Sequence, residues 1–197
     1  KAGANAVKFQ VFKADTLAVP NSKKNKLQKK TSGEEDLSSI WKRVSLNTMS
    51  LKKLRNYSKK IKIDFICTAF DFDSLKVVKK LNLDAIKVAS SDVTDLPLLI
   101  EISKLKKPII LSTGMSNRDE ISTALNLLKN KNVSILHCVS LYPCNYSDAN
   151  LNRILALKKK FKKNVIGYSD HCKNFEASIY ALNLGAKIIE KHFTLNK

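Results

Sequence analysis

The sequence predicts a parallel α/β fold of the TIM (β/α)8-barrel type, incomplete in this chain, and three observations lead there. Seven short β-branched apolar runs recur along the 197 residues, longer amphipathic stretches lie between them, and polar residues gather at the C-terminal end of nearly every run. Strands that alternate with helices through short loops require a parallel sheet, either open and doubly wound or closed as a barrel. An open sheet concentrates its polar groups at one switch point. Here every run contributes some, so the closed form is the expectation.

Taken in order, residues 1–4 read as the last turn of a helix that enters the first strand, residues 6–10, which carries Lys8 and Gln10 among apolar neighbours. Residues 20–38, rich in Lys, Ser and Asn, read as a long surface loop before a helix at about residues 39–58. The other strands are expected at residues 65–70, 85–89, 109–113, 133–137, 165–168 and 187–192, each brief as a buried strand should be. Residues 75–81, 98–105 and 121–128 place their apolar side chains at helical spacing. Ser116 with Asp119 resembles a capping box, which starts a helix just after the turn at Ser112-Thr113-Gly114. Pro108 stands where a strand begins without losing a ladder bond. A closed barrel needs eight strands, so a first strand is expected ahead of Lys1 and further chain after Lys197, with residues 1–197 forming one partial barrel domain.

Lys and Arg number 36 against 17 Asp and Glu, a formal charge of +19, which raises the question of an anionic partner. The cations are mostly lysines scattered among Asn, Ile and Ser, as at Lys158 to Lys160 with Lys162 and Lys163, and no Arg-rich stripe with interleaved aromatics is present. A solvated surface is therefore favoured over nucleic-acid binding, and a non-catalytic basic barrel for polyanions stays as the weaker alternative. The sequence contains no apolar run of about 18 residues, and residues 1–7 lack the pattern of a secretory signal. A cytoplasmic protein with no membrane partner is expected. Cys67, Cys138, Cys144 and Cys172 show neither C-x-x-C nor zinc-finger spacing, so reduced thiols are expected.

Two features carry chemistry. His137 and His171 each end a strand, and imidazoles on neighbouring strand ends can converge on one divalent metal. Lys8 and Lys87 sit inside apolar strands, where an unpaired ammonium is expensive to bury. With Thr68, Ser90 and Ser112 on other strand ends they could cradle a phosphate or carboxylate, the lysines as point charges and the hydroxyls as donors. The competing reading pairs these lysines with Asp92 or Glu190 inside the barrel.

The blocks Lys8-Phe9-Gln10, Thr68-Ala69-Phe70-Asp71, Lys87-Val88-Ala89-Ser90-Ser91, Leu111-Ser112-Thr113-Gly114-Met115, His137-Cys138-Val139-Ser140-Leu141-Tyr142-Pro143, Gly167-Tyr168-Ser169-Asp170-His171 and Glu190-Lys191-His192-Phe193-Thr194-Leu195 occur in this order over nearly the whole chain. Together they resemble the strand-end motifs of the N-acetylneuraminate synthase family. The resemblance implies a (β/α) barrel that uses a divalent metal, manganese with magnesium second, to join phosphoenolpyruvate to an N-acetylmannosamine-like aldehyde with release of phosphate. It implies His137 and His171 as metal ligands, Lys8, Thr68, Lys87, Ser90 and Ser112 as phosphoenolpyruvate-binding residues, and Tyr142 and Asp170 as active-site residues. It further implies a homodimer for the full-length protein and a small C-terminal antifreeze-like domain that this chain lacks. Asn196 departs from the Asp found in many relatives. The synthases of KDO-phosphate and DAHP are the nearest alternatives, and the Gly-Tyr-Ser-Asp-His block favours the sialic branch.

Overall fold

The computed structural model describes residues 3–17, 32–33, 35–129 and 132–194, so most of the expected loop at residues 20–38, and position 196, lie outside the described residues. The chain groups into two compact units, Lys1–Lys87 and Val88–Lys197.

In the first unit, β1 (Ala6–Val11) is followed by α1 (Ala14–Leu17), α2 (Leu37–Val44), α3 (Thr48–Lys60), β2 (Asp64–Ala69), α4 (Phe72–Lys79) and β3 (Ala85–Val88). Its strands pair in parallel and in chain order, β1 with β2 and β2 with β3. The helix expected at about residues 39–58 is two helices. Asn47 breaks it: its backbone is extended, and its side chain accepts a hydrogen bond from the Ser50 N–H and so caps α3. Arg55 on α3 reaches Asp84 at 2.9 Å and the Asn82 carbonyl at 2.8 Å, while the Asp84 carboxylate also accepts from the Phe65 N–H. Those bonds tie α3, the start of β2 and the approach to β3 together, with Arg55 itself almost fully buried.

The second unit runs α5 (Leu96–Ser103), β4 (Ile109–Ser112), α6 (Arg118–Leu128), β5 (Val133–His137), α7 (Arg153–Lys160), β6 (Val165–Asp170), α8 (Glu176–Asn183) and β7 (Ile189–Lys191). Strands β4 to β7 again pair in parallel with their sequence neighbours. The capping box of α6 lies one residue beyond the expected position. Asn117 accepts from the N–H groups of Asp119 and Glu120, and Glu120 accepts from the Asn117 N–H. Ser116 is instead buried, and its carbonyl accepts from Arg153 at 2.7 Å. Ile154, Leu157, Ala177 and Ala181 from α7 and α8 pack with Ile135, Ile166 and Tyr168 from β5 and β6, so one side of this sheet is sealed by helices.

Among the described residues, seven parallel strands alternate with helices, the (β/α)-barrel fold class the sequence predicts. Among the described residues, no helix is long and apolar enough to cross a membrane.

Candidate active site

In a strand, successive side chains point to opposite faces, so the register decides which polar groups meet. In the first unit Gln10 lies beside Thr68 and Thr68 beside Lys87. An amide, a hydroxyl and an ammonium therefore stand in one row on one face, and Lys8, two residues before Gln10, shares it. Thr68 is 1% and Lys87 3% exposed. The opposite face is formed by Phe65, Cys67, Ile86 and Val88, all buried and apolar. Burial pushes the Cys67 thiol up to about 12, so it stays protonated and inert.

In the second unit Ser112 lies level with Leu136, and Leu136 with Gly167. The Ser112 hydroxyl is buried and has no hydrogen-bond partner among the described residues. Ser90 accepts from the Gly114 N–H at 3.1 Å, and its oxygen lies 3.0 Å from the Cys138 sulfur, so it braces the turn that follows β4. That turn demands glycine. A Cβ on Gly114 would sit 2.7 Å from the Cys138 sulfur and 2.9 Å from its carbonyl oxygen.

The expected pairing of His137 with His171 is corrected by the geometry. His137 lies level with Tyr168 and stacks on it at 5.7 Å, 1% exposed on the helix-sealed side, with Nε2 2.8 Å from the Ala149 carbonyl. His171 follows Asp170 and so returns to the face of Ser169 and Glu190, with its Nε2 3.4 Å from the Ser169 hydroxyl. An odd separation along the registered strands puts the two imidazoles on opposite sides of the sheet. The neighbour of His171 is His192, at a ring separation of 5.6 Å, and Tyr142 lies 4.1 Å from His171 and 5.7 Å from His192. Parity was the available signal for His192. It stands two residues after Glu190, which pairs with Ser169, and so shares the side of His171.

His171 is oriented from behind. Its Nδ1 lies 2.6 Å from the Val139 carbonyl, which can only accept, so Nδ1 is the donor and Nε2 is the nitrogen turned towards Ser169 and the ring cluster. Ser169 donates to the Glu190 carboxylate at 2.7 Å beneath the ring cluster. Burial, followed by the neighbouring Cys138 and Glu190, pushes the Tyr142 phenol up to about 12, so it stays protonated at neutral pH.

Asp170, expected to line the active site, points the other way. Its carboxylate is fully buried and accepts from the Cys172 N–H at 2.9 Å, from Ser178 at 2.5 Å and from Lys191 at 2.9 Å. Burial alone would raise its pKa. The bonds from Ser178, Lys191 and Cys172 outweigh that and hold the carboxyl below its ordinary value.

For His137, burial is the largest influence and lowers the pKa from the ordinary 6.5, against a lift from the Ala149 carbonyl. The folded state then binds this proton less readily than the unfolded chain does. The stability that neutral His137 contributes is complete above pH 6.5 and is lost as the pH falls from there towards the depressed folded value. Between about pH 7 and about pH 5 the melting temperature should fall less in His137→Gln than in the parent protein; equal pH slopes for both would refute it.

Residues 1–197 match the model of the NeuB family. The N,N'-diacetyllegionaminic acid synthase of Campylobacter jejuni is 42% identical over 201 residues, covering 99% of this chain and 60% of that protein. The pseudaminic acid synthase of Helicobacter pylori is 32% identical, over 100% of this chain and 59% of its own length. The crystal structure of an N-acetylneuraminic acid synthetase from Leptospira borgpetersenii in complex with citrate superposes with a TM-score of 0.84 at 33% identity, covering 98% of this chain and 64% of that one. The chain thus spans about three-fifths of the length of these relatives.

Proposed function

Since the chain belongs to the NeuB family, we propose that it is the catalytic barrel portion of an enzyme that condenses phosphoenolpyruvate with an N-acetylmannosamine-like aldehyde to give a nonulosonate and phosphate. The observation that carries this reading is the cluster of His171, His192 and Tyr142 beside Ser169 and Glu190, at the C-terminal ends of β5 to β7. In barrels of this kind, that end bears the chemistry.

The family resemblance implies a divalent ion here, Mn2+ first and Mg2+ second. His171 and His192 would supply two neutral nitrogens and leave positions for substrate and water, since no group of three or more His, Cys, Asp or Glu among the described residues would enclose the ion. When bound there, the ion supplies Lewis acidity to an aldehyde oxygen. Tyr142 remains protonated and donates to a sugar oxygen, while the Val139 carbonyl keeps His171 in the ligating tautomer. Lys8, Thr68 and Lys87, in one row of the first unit, offer charge and a hydroxyl donor to an anionic group of phosphoenolpyruvate. In the second unit, taken by itself, Ser90 and Ser112 offer hydroxyls. Carbon 3 of the enol attacks the aldehyde, water adds at carbon 2, and the carbon–oxygen bond to phosphate breaks.

The test is phosphate release by the full-length protein from phosphoenolpyruvate, with Mn2+ and a panel of aldehydes: N-acetylmannosamine, its 6-phosphate and a 2,4-diacetamido sugar. Release that depends on one amino sugar supports the reading. Release with none of them, or with any simple aldose phosphate instead, rejects it.

A further inference from the structure

We propose that Asp170 and Lys191 are positioning residues whose ion pair sets the spacing of His171 and His192, an inference that rests on the metal-site reading above. His171 is bracketed by Asp170 and Cys172, and both of these flanking residues are held by the same ammonium. The Lys191 Nζ donates to the Asp170 carboxylate at 2.9 Å and to the Cys172 carbonyl at 2.7 Å. The other carboxylate oxygen of Asp170 accepts from the Cys172 N–H, closing a small ring of bonds around the backbone of His171. Lys191 also lies directly opposite Asp170 in the β6–β7 ladder, and the next residue in its chain is His192.

The clamp therefore fixes both imidazoles from the face opposite to the one they occupy. The Asp170 side chain is fully buried, and Lys191 is exposed with its side chain 29% accessible, so the carboxylate end of the pair is the one shielded from water. Ser178 from α8 supplies a further donor to Asp170 at 2.5 Å, which anchors the clamp to a packed helix. No bond in this set reaches the cluster face, so the two residues act through His171 and His192 and not on substrate. Groups hydrogen-bonded directly to metal ligands govern affinity by about 10- to 100-fold, and a clamp that acts through the flanking backbone should reach the lower end of that range.

The experiment measures Mn2+ affinity by electron paramagnetic resonance on the full-length protein and its Asp170→Asn, Lys191→Met and Lys191→Arg variants, with melting temperature on each. Asp170→Asn and Lys191→Met should weaken Mn2+ binding at least about tenfold, and Lys191→Arg, which keeps the cation, should restore most of it. Wild-type affinity in a folded Asp170→Asn or Lys191→Met protein, whatever its melting temperature, overturns the clamp, as does an Arg variant as weak as Met. If one substitution prevents folding, the remaining two still decide by the same comparison. His171→Ala and His192→Ala run alongside: if they lose Mn2+ while the clamp variants keep it, only the clamp falls, and if they too keep it, the metal-site reading falls first.

Discussion

His171→Ala or His192→Ala will remove Mn2+-dependent turnover from the complete enzyme and weaken Mn2+ binding by more than about 100-fold, because each takes one of two nitrogen ligands from an already sparse set. The same substitution at His137 will do something else. That ring is 1% exposed, stacked on Tyr168 and bonded to the Ala149 carbonyl, so its truncation opens a cavity and leaves a buried acceptor unpaired. A loss of about 2–5 kcal/mol in stability is expected, with Mn2+ affinity retained in the folded fraction. Isothermal titration with Mn2+ and thermal unfolding on the three variants separate these outcomes. Loss of Mn2+ binding in a stably folded His137→Ala protein would restore the pairing read from the sequence and remove the one proposed here.

Lys87→Met is the second large effect. Methionine keeps most of the aliphatic stem in a site that is 3% exposed and removes only the charge, so strand β3 should tolerate it. A charge-assisted contact to phosphoenolpyruvate contributes about 1.5–3 kcal/mol, which corresponds to a loss of affinity of about 10- to 150-fold. A lysine whose role is to neutralise a buried acid gives the opposite pattern, since its removal strands that acid and destabilises the fold. Phosphoenolpyruvate affinity and melting temperature on the same protein decide between them. A large fall in melting temperature with unaltered affinity would assign Lys87 to the core.

The strands were legible in the sequence because short β-branched runs between amphipathic stretches leave little freedom in a parallel fold, and residues 133–137 are strand in both the reading and the structure. Boundaries were less so. Asn47 splits an expected helix in two, and Asn117 takes the cap expected at Ser116, since local side-chain bonds to the backbone decide such ends and periodicity does not see them. The side-chain faces were the main loss. Both faces of a buried parallel strand are apolar, so hydrophobic pattern alone cannot say which way His137 or Asp170 points. Register supplies that answer, and it places His192 where His137 was expected. The network of Asp170, Lys191, Ser178 and Cys172 joins residues from β6, α8 and β7 and had no sequence signal at all.

The central claim is the formation of a carbon–carbon bond from phosphoenolpyruvate, and nuclear magnetic resonance with phosphoenolpyruvate labelled with carbon-13 at carbon 3 and the amino sugar labelled with carbon-13 at its aldehyde carbon tests it most directly. With the full-length protein, Mn2+ and the accepted amino sugar, the label should move from the enol methylene to a saturated methylene coupled to the former aldehyde carbon, one phosphate being released for each product formed. Label recovered as pyruvate, with phosphate released and no new carbon–carbon coupling, would show a phosphatase-like activity and contradict the account.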